Sequence, residues 1–151
     1  MSAILFVVGA AGVARPAEAA SPVNQSYRVN TSGESSTRGY ARARGDLTWY
    51  SRRKFIISGR INDICPRDGR GAFLFIEINY RDGDRSNHYP RRARDMGGCR
   101  DRNGEAFSIT YRRHRRITYV GIWACEGTPT RPQACRGKTR DNPFTRGRKR
   151  N

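Results

Sequence analysis

The residues with the clearest capacity for chemistry form one basic run late in the chain. Four arginines surround a histidine there: Arg112, Arg113, His114, Arg115 and Arg116. A guanidinium is a planar fork of N–H donors that matches a phosphate or a carboxylate, so this cluster suits a polyanion. The alternative is a solvated turn with no dedicated ligand. We take the cluster as the candidate binding site, at a predicted turn between two strands.

Catalysis on a phosphodiester would need a general base, a general acid and a group that stabilises phosphate charge. Glu77, His88 and His114 have the required types, but the strand that carries Glu77 has no His or Arg two residues away. The G-x-S-x-G, H-E-x-x-H and P-loop motifs are absent from the sequence. The sequence therefore identifies no catalytic residue and no cofactor, and a secreted nuclease or nuclease-like toxin is kept as the alternative function.

A metal site is considered at two carboxylates in a glycine-rich turn. Asp63 and Asp68 flank Cys65, and together with backbone carbonyls they could hold Ca²⁺. The EF-hand spacing is missing, and Arg67 and Arg70 oppose a cation. We therefore expect these carboxylates to cap the turn and predict no metal site.

Two phenylalanines are a further candidate for binding. Phe73 and Phe75 fall on the face of their predicted strand opposite the core, where aromatic rings could stack on bases or sugars. Exposed paired phenylalanines would favour aggregation of a secreted monomer. We therefore expect the N-terminal segment or the C-terminal tail to cover them.

The chain contains four cysteines: Cys65, Cys99, Cys125 and Cys135. An even number in a small exported domain is typical of disulfides, and four cysteines allow three pairings. We favour Cys65–Cys99 and Cys125–Cys135, because each pair closes a local loop beside a strand end. A zinc site is the alternative, but the C-x₂-C pairs typical of such sites are missing.

Residues 1–19 have the features of a signal peptide. The apolar run over 3–14 is too short to cross a bilayer as a helix, which takes about 20 apolar residues. Arg15-Pro16 ends the run, and Ala17 and Ala19 suit a cleavage site, although no Lys or Arg precedes the run. The alternative is a buried N-terminal helix of a cytosolic domain. We predict cleavage, an extracellular location and no transmembrane anchor.

Charge is the dominant property of the composition. The chain has 30 Lys and Arg against 13 Asp and Glu, a net charge of +17, and loss of Arg15 and Glu18 with the signal peptide leaves this value unchanged. Such a charge attracts nucleic acid, teichoic acid, acidic polysaccharide or anionic membranes. A generically basic surface, from a GC-rich genome, is the alternative. A cationic antimicrobial protein is a second alternative, weakened by the lack of an amphipathic helix.

Alternating apolar residues predict strands that position these groups. The predicted strands lie within Trp49–Ile64, Ala72–Tyr80, Ala106–Arg112 and Arg116–Cys125, with a weak polar strand at Ser86–Arg92 and a D-G hairpin turn at Arg81–Asp84. This pattern predicts an all-β fold, an antiparallel β-sandwich with two disulfides. We divide the chain into the signal peptide (1–19), an extended lead-in (20–46), the sandwich domain (47–135) and a disordered basic tail (136–151).

Three sequence features together resemble a known class of protein. They are the run Gly59–Ala72 (GRINDICPRDGRGA), the Tyr80–Gly83 segment (YRDG), and a strand that ends at Cys125 with a second cysteine about ten residues later. This pattern resembles small secreted β-sandwich proteins of unknown function from actinobacteria, over roughly residues 47–135. The resemblance implies the fold and the disulfides but no activity. The present chain is more basic than that pattern requires.

We therefore expect a secreted, non-enzymatic protein that binds an anionic polymer such as nucleic acid or a cell-wall polymer.

Overall fold

The alternation of apolar and polar residues produces an all-β structure. The computed structural model describes residues 20–31, 40–64, 71–96 and 104–145, and within these ranges it contains nine strands and no helix. The strands are β1 (Val23–Asn30), β2 (Tyr40–Ser51), β3 (Lys54–Ile64), β4 (Ala72–Tyr80), β5 (Arg85–His88), β6 (Arg94–Asp95), β7 (Glu105–Arg112), β8 (Ile117–Thr128) and β9 (Arg131–Asp141).

The strands form two antiparallel sheets. Sheet A has the order β1-β2-β3-β7, and sheet B has the order β5-β4-β8-β9, with the short β6 also paired to β4. The predicted all-β fold with antiparallel sheets is confirmed. β7 and β8 are consecutive in the chain but belong to different sheets, so their connection joins the two sheets at one end of the molecule.

One hydrophobic core lies between the inner faces of the sheets. On sheet A the aromatic rings of Trp49, Phe55 and Tyr111 pack in sequence, with centroids 5.2 and 4.9 Å apart. On sheet B the inner residues of β4 lie opposite those of β8, for example Ile76 opposite Ile122. Burial of these apolar side chains is the main contribution to folding.

The N-terminal part of the described chain contains two strands that the sequence did not predict. β1 and the first residues of β2 lie inside the predicted extended lead-in and pair with each other in sheet A. Their inward side chains are Tyr27 and Val29 on β1 and the small Ala41 and Ala43 on β2. The predicted pattern over Trp49–Ile64 is also two strands, because the chain turns at Arg52 and Arg53.

The C-terminal side also differs from its prediction. β9 runs to Asp141, so residues 136–141, assigned to the tail from the sequence, are an edge strand paired with β8. Pro132 is compatible with this position because an edge strand tolerates a missing N–H. Arg140 donates from Nη2 to the Ser26 carbonyl at 2.8 Å, which links β9 of sheet B to β1 of sheet A.

One of the two predicted disulfides is confirmed. Cys125 and Cys135 lie directly opposite each other on β8 and β9, with their Cα atoms 4.1 Å apart. Cys65, Cys99 and the predicted signal peptide over 1–19 lie outside the described residues. Across the described ranges, the chain has no helix with the length and apolar character needed to cross a membrane.

Candidate functional site

Three turns meet at the end of the molecule where the chain passes from sheet A to sheet B. They are the β2–β3 turn with Arg52 and Arg53, the β4–β5 turn over residues 81–84, and the β7–β8 connection over residues 113–116. In the second turn Gly83 has a φ of +89°, a left-handed conformation that glycine adopts without strain. Each turn contributes basic side chains to the same end.

Backbone hydrogen bonds hold the three turns together. The Arg113 N–H donates to the Arg53 carbonyl at 2.9 Å, and the Arg81 N–H donates to the Arg116 carbonyl at 3.0 Å. The Ile117 N–H also donates to the Arg52 carbonyl at 2.8 Å. These bonds place the main chains of Arg53, Arg81 and Arg116 side by side, so their guanidiniums share one region of the surface.

Arg115 is the arginine of the basic run that is neutralised by carboxylates. Its Nε donates to Asp82 at 2.9 Å and its Nη2 donates to Asp84 at 2.8 Å, while its guanidinium lies 4.6 Å from the centre of the Tyr80 ring. The hydrogen bond from Arg115 lowers the pKa of Asp82. Arg115 therefore orders the β4–β5 turn and is not available to a ligand without breaking these contacts.

Arg113 is engaged on the other side of the turn. Its Nη2 lies 3.1 Å from His88 Nε2, and its guanidinium lies 5.3 Å from the centre of the Tyr111 ring. A guanidinium only donates, so Nε2 of His88 is the acceptor and the imidazole proton is on Nδ1. Burial, with the charge of Arg113 as a second cause, lowers the pKa of His88.

An open cleft of about 500 Å³ lies between the three turns. Its walls are formed by Arg53, Arg81, Asp82, His114, Arg115 and Arg116. Arg53, Arg81, His114 and Arg116 are exposed. Within the described ranges, the side chains of Arg53, Arg81 and Arg116 have no hydrogen-bond or ion-pair partner. Three arginines from three turns thus line one cleft, and their guanidiniums suit phosphate, sulfate or carboxylate groups.

The cleft only partly coincides with the predicted site. Of the predicted run, His114, Arg115 and Arg116 line it, Arg113 faces His88, and Arg112 lies opposite Lys54 at the end of sheet A. Arg53 and Arg81 were not predicted as site residues. Arg81 lies in a predicted hairpin turn, and alternate hairpin turns of an antiparallel sheet lie at the same end, so the pattern contained a signal for it. Arg53 lies within a segment predicted as one strand, so no turn signal pointed to it.

The three residues whose types suit acid–base catalysis, Glu77, His88 and His114, are not assembled into one site. His88 lies opposite Ile76, on the inner side of sheet B, whereas Glu77 points to the outer side and accepts a hydrogen bond from Asn79 at 2.8 Å. His114 lies in the cleft at the turns. His88 Nε2 is also 3.1 Å from Ser86 Oγ, but the same nitrogen is already bonded to Arg113. Of these three residues only His114 lines the cleft, so neither of the other two acts beside it there.

Phe73 and Phe75 lie on the outer face of sheet B, as the alternation predicts. Phe73 is 1% exposed and Phe75 is half-buried, since Phe75 stacks between Tyr89 and Trp123, at centroid distances of 4.9 and 6.3 Å. In the described part of the chain, the rings that cover Phe75 thus come from Tyr89 and from β8, rather than from an N-terminal segment or a tail.

The metal alternatives receive no support from the described geometry. Among the residues that the structure describes, no group of three or more His, Cys, Asp or Glu side chains could hold an ion. The Asp63 backbone N–H donates to the buried carboxylate of Asp95 at 2.9 Å. Asp68, the second carboxylate of the considered calcium site, lies outside the described residues.

Comparisons of this chain with models of protein families, with curated proteins and with solved structures find no match. The resemblance to secreted actinobacterial proteins stays a prediction from the sequence, and the function must be argued from the site itself.

Proposed function

We propose that the protein is a secreted, non-enzymatic binder of anionic polymers that holds an anionic group of the polymer in the cleft between the three turns. One observation carries the proposal: the exposed side chains of Arg53, Arg81 and Arg116 line the cleft together, without a side-chain partner among the described residues. Adjacent cations repel each other, and a bound anion relieves that repulsion.

Two further properties support the proposal. The net charge of +17 raises the concentration of polyanions around the protein. Secretion is supported by the predicted signal peptide and by the Cys125–Cys135 disulfide, because disulfides persist in oxidising compartments. A β-sandwich with its turns at one end would present the cleft on a rigid support.

Titration of the mature protein into labelled single-stranded DNA at a series of salt concentrations tests the proposal. The variant Arg53→Gln/Arg81→Gln/Arg116→Gln should bind more weakly, and its plot of log affinity against log salt should be flatter by about 0.7, since the three arginines hold one phosphate and each phosphate contact contributes about 0.7 on single strands. The matched control Arg85→Gln/Arg91→Gln/Arg92→Gln removes the same charge from exposed positions outside the cleft.

The control variant separates a site from general basicity. Equal weakening in both triple variants would show that net charge, and not the cleft, attracts the polymer. An absence of binding at low salt would overturn the proposal. Cleavage of the DNA or of labelled RNA that is lost in His114→Ala would replace binding by nuclease activity.

A further inference from the structure

The strand register aligns three arginines on the outer face of sheet A. Arg28 of β1 lies opposite Arg44 of β2, and Arg44 lies opposite Arg60 of β3. All three side chains are exposed, and we name this set the arginine row. Directly opposed residues on neighbouring strands lie about 5 Å apart, so the row spans about 10 Å across the sheet.

The three arginines of the row differ in their partners. Arg60 Nη1 donates to the Gly104 carbonyl at 3.2 Å, and Arg28 has an interaction partner as well. Arg44, at the centre of the row, makes no ion pair with any residue that the structure describes, although Asp46 lies two residues away on the same face. Asp46 is opposed by Ser26 and Ser58. The exposed guanidinium of Arg44 is therefore available to an anionic ligand.

The same face connects the row to the cleft. Lys54 and Arg112 lie opposite each other at the end of β3 and β7, next to Arg53. Lys54 and Arg60 are six positions apart along β3, so their Cα atoms are separated by about 20 Å. Between them the outward positions are mostly hydroxyl-bearing side chains: Thr48, Ser58, Ser108 and Thr110.

We propose that this face continues the cleft as a binding track for a flexible phosphodiester polymer, with phosphates of one strand held at the cleft, at Lys54 and Arg112, and at the arginine row. The inference rests on the proposed function and names its ligand class. Arginine, lysine, serine and threonine are the side chains that contact phosphate oxygens in nucleic-acid complexes. The outward positions of β3 between Lys54 and Arg60 are Ile56 and Ser58, which offer no aromatic ring for a base to stack on. The exposed ring of Tyr50 has Lys54 Nζ at 4.7 Å from its centre, so recognition along the stretch beyond Lys54 is of the backbone.

A length series tests the track. A labelled trinucleotide reaches only the cleft, whereas a long oligothymidylate spans both regions. The variant Arg28→Gln/Arg44→Gln/Arg60→Gln should leave trinucleotide affinity unchanged and weaken the long strand on the order of tenfold at low salt, because the second contact acts through effective concentration. The single variant Arg44→Gln, which removes no described contact, should show part of this loss if the triple variant fails to fold.

Two other polymers test whether the phosphodiester backbone alone is recognised. Poly(glycerol phosphate), which has no bases, should bind as tightly as oligothymidylate and depend on the row in the same way. A requirement for bases, or equal competition by a polycarboxylate such as polygalacturonate, would overturn the assignment of the ligand class.

The two proposals fail differently. An unchanged long-strand affinity in the row variants, combined with a loss in the Arg53/Arg81/Arg116 variant, would refute the track and leave the cleft intact. No binding of any length by the unaltered protein would refute both.

Discussion

Replacing Gly137 by alanine should destabilise the fold because the indole of Trp123 occupies the space of a side chain at that position. Gly137 on β9 lies opposite Trp123 on β8. A Cβ atom built on Gly137 would lie 2.4 Å from Cδ2, 2.6 Å from Cε3 and 2.9 Å from Cε2 of the indole. Gly137 does not have a positive φ, so an L residue fits its backbone and the conflict is steric alone.

The size of the effect follows from two opposing terms. Overpacking a well-filled contact costs about 1–3 kcal/mol. Alanine restricts the unfolded chain more than glycine does, which contributes about 0.4–1 kcal/mol of stability where the native backbone is compatible. Because Trp123 is half-buried and has some room to shift, we expect Gly137→Ala to lower the free energy of unfolding by about 1–2 kcal/mol.

A double-mutant cycle isolates the contact. In a Trp123→Ala background the same change should stabilise the protein by about 0.5–1 kcal/mol, which gives a coupling energy of about 1.5–3 kcal/mol in urea unfolding. The control Gly83→Ala has no atom within 4 Å of the new Cβ, but its φ of +89° disfavours alanine. It should therefore cost the same with or without Trp123. A neutral or stabilising Gly137→Ala in the presence of Trp123 would refute the reasoning.

Two further changes have defined outcomes. Asn142 is fully buried, and its side chain donates to the Ile117 carbonyl at 3.0 Å and accepts from the Phe144 N–H at 3.0 Å. Asn142→Ala should therefore lower the free energy of unfolding in urea by about 2–3 kcal/mol, whereas the control Asn24→Ala at an exposed position should lower it by less than about 0.5 kcal/mol. Equal losses in the two variants would contradict this prediction. The pKa of His88 is lower in the folded protein than in the unfolded chain, where it is about 6.5. As the pH falls below about 6.5, the unfolded chain therefore takes up a proton at His88 more readily than the folded protein does, and the free energy of unfolding should decrease. Urea midpoints measured across this range should vary less in His88→Asn, and an identical pH dependence in both proteins would exclude His88 as the source.

The predictable part of the fold is the part with large inward side chains. β4 was predicted because Leu74, Ile76 and Ile78 alternate with residues of the other face, and the Asp82-Gly83 dipeptide, which favours a tight hairpin, located the turn that follows it. β9 was not predicted. Its residues opposite the core-facing positions of β8 are Arg136, Lys138 and Arg140, so the strand has no apolar alternation. Such a strand is held by its pairing with β8 and by the disulfide, and neither contribution produces an apolar pattern.

The candidate site was predictable to a similar extent and for a related reason. The run from Arg112 to Arg116 was visible as a cluster in the sequence, whereas Arg53 and Arg81 join it only through the topology of the sheets. The arginine row is harder still to predict. Arg28, Arg44 and Arg60 are each about 16 residues apart in the chain, and only the strand register shows that they are opposed.

The structure also shows why the number of arginines is a poor measure of binding capacity. In the basic run the exposed residues alternate with half-buried ones: Arg113 is committed to His88 and Tyr111, and Arg115 to Asp82 and Asp84. These two arginines organise the turn that presents His114 and Arg116 to solvent. Substituting Arg115 should therefore perturb the β4–β5 turn as well as the charge, while substituting Arg116 changes the charge alone. Under the proposed function, the contribution of each arginine to polyanion binding depends on its partners in the fold, so a uniform basic surface and a built site make different predictions for adjacent residues of the same type.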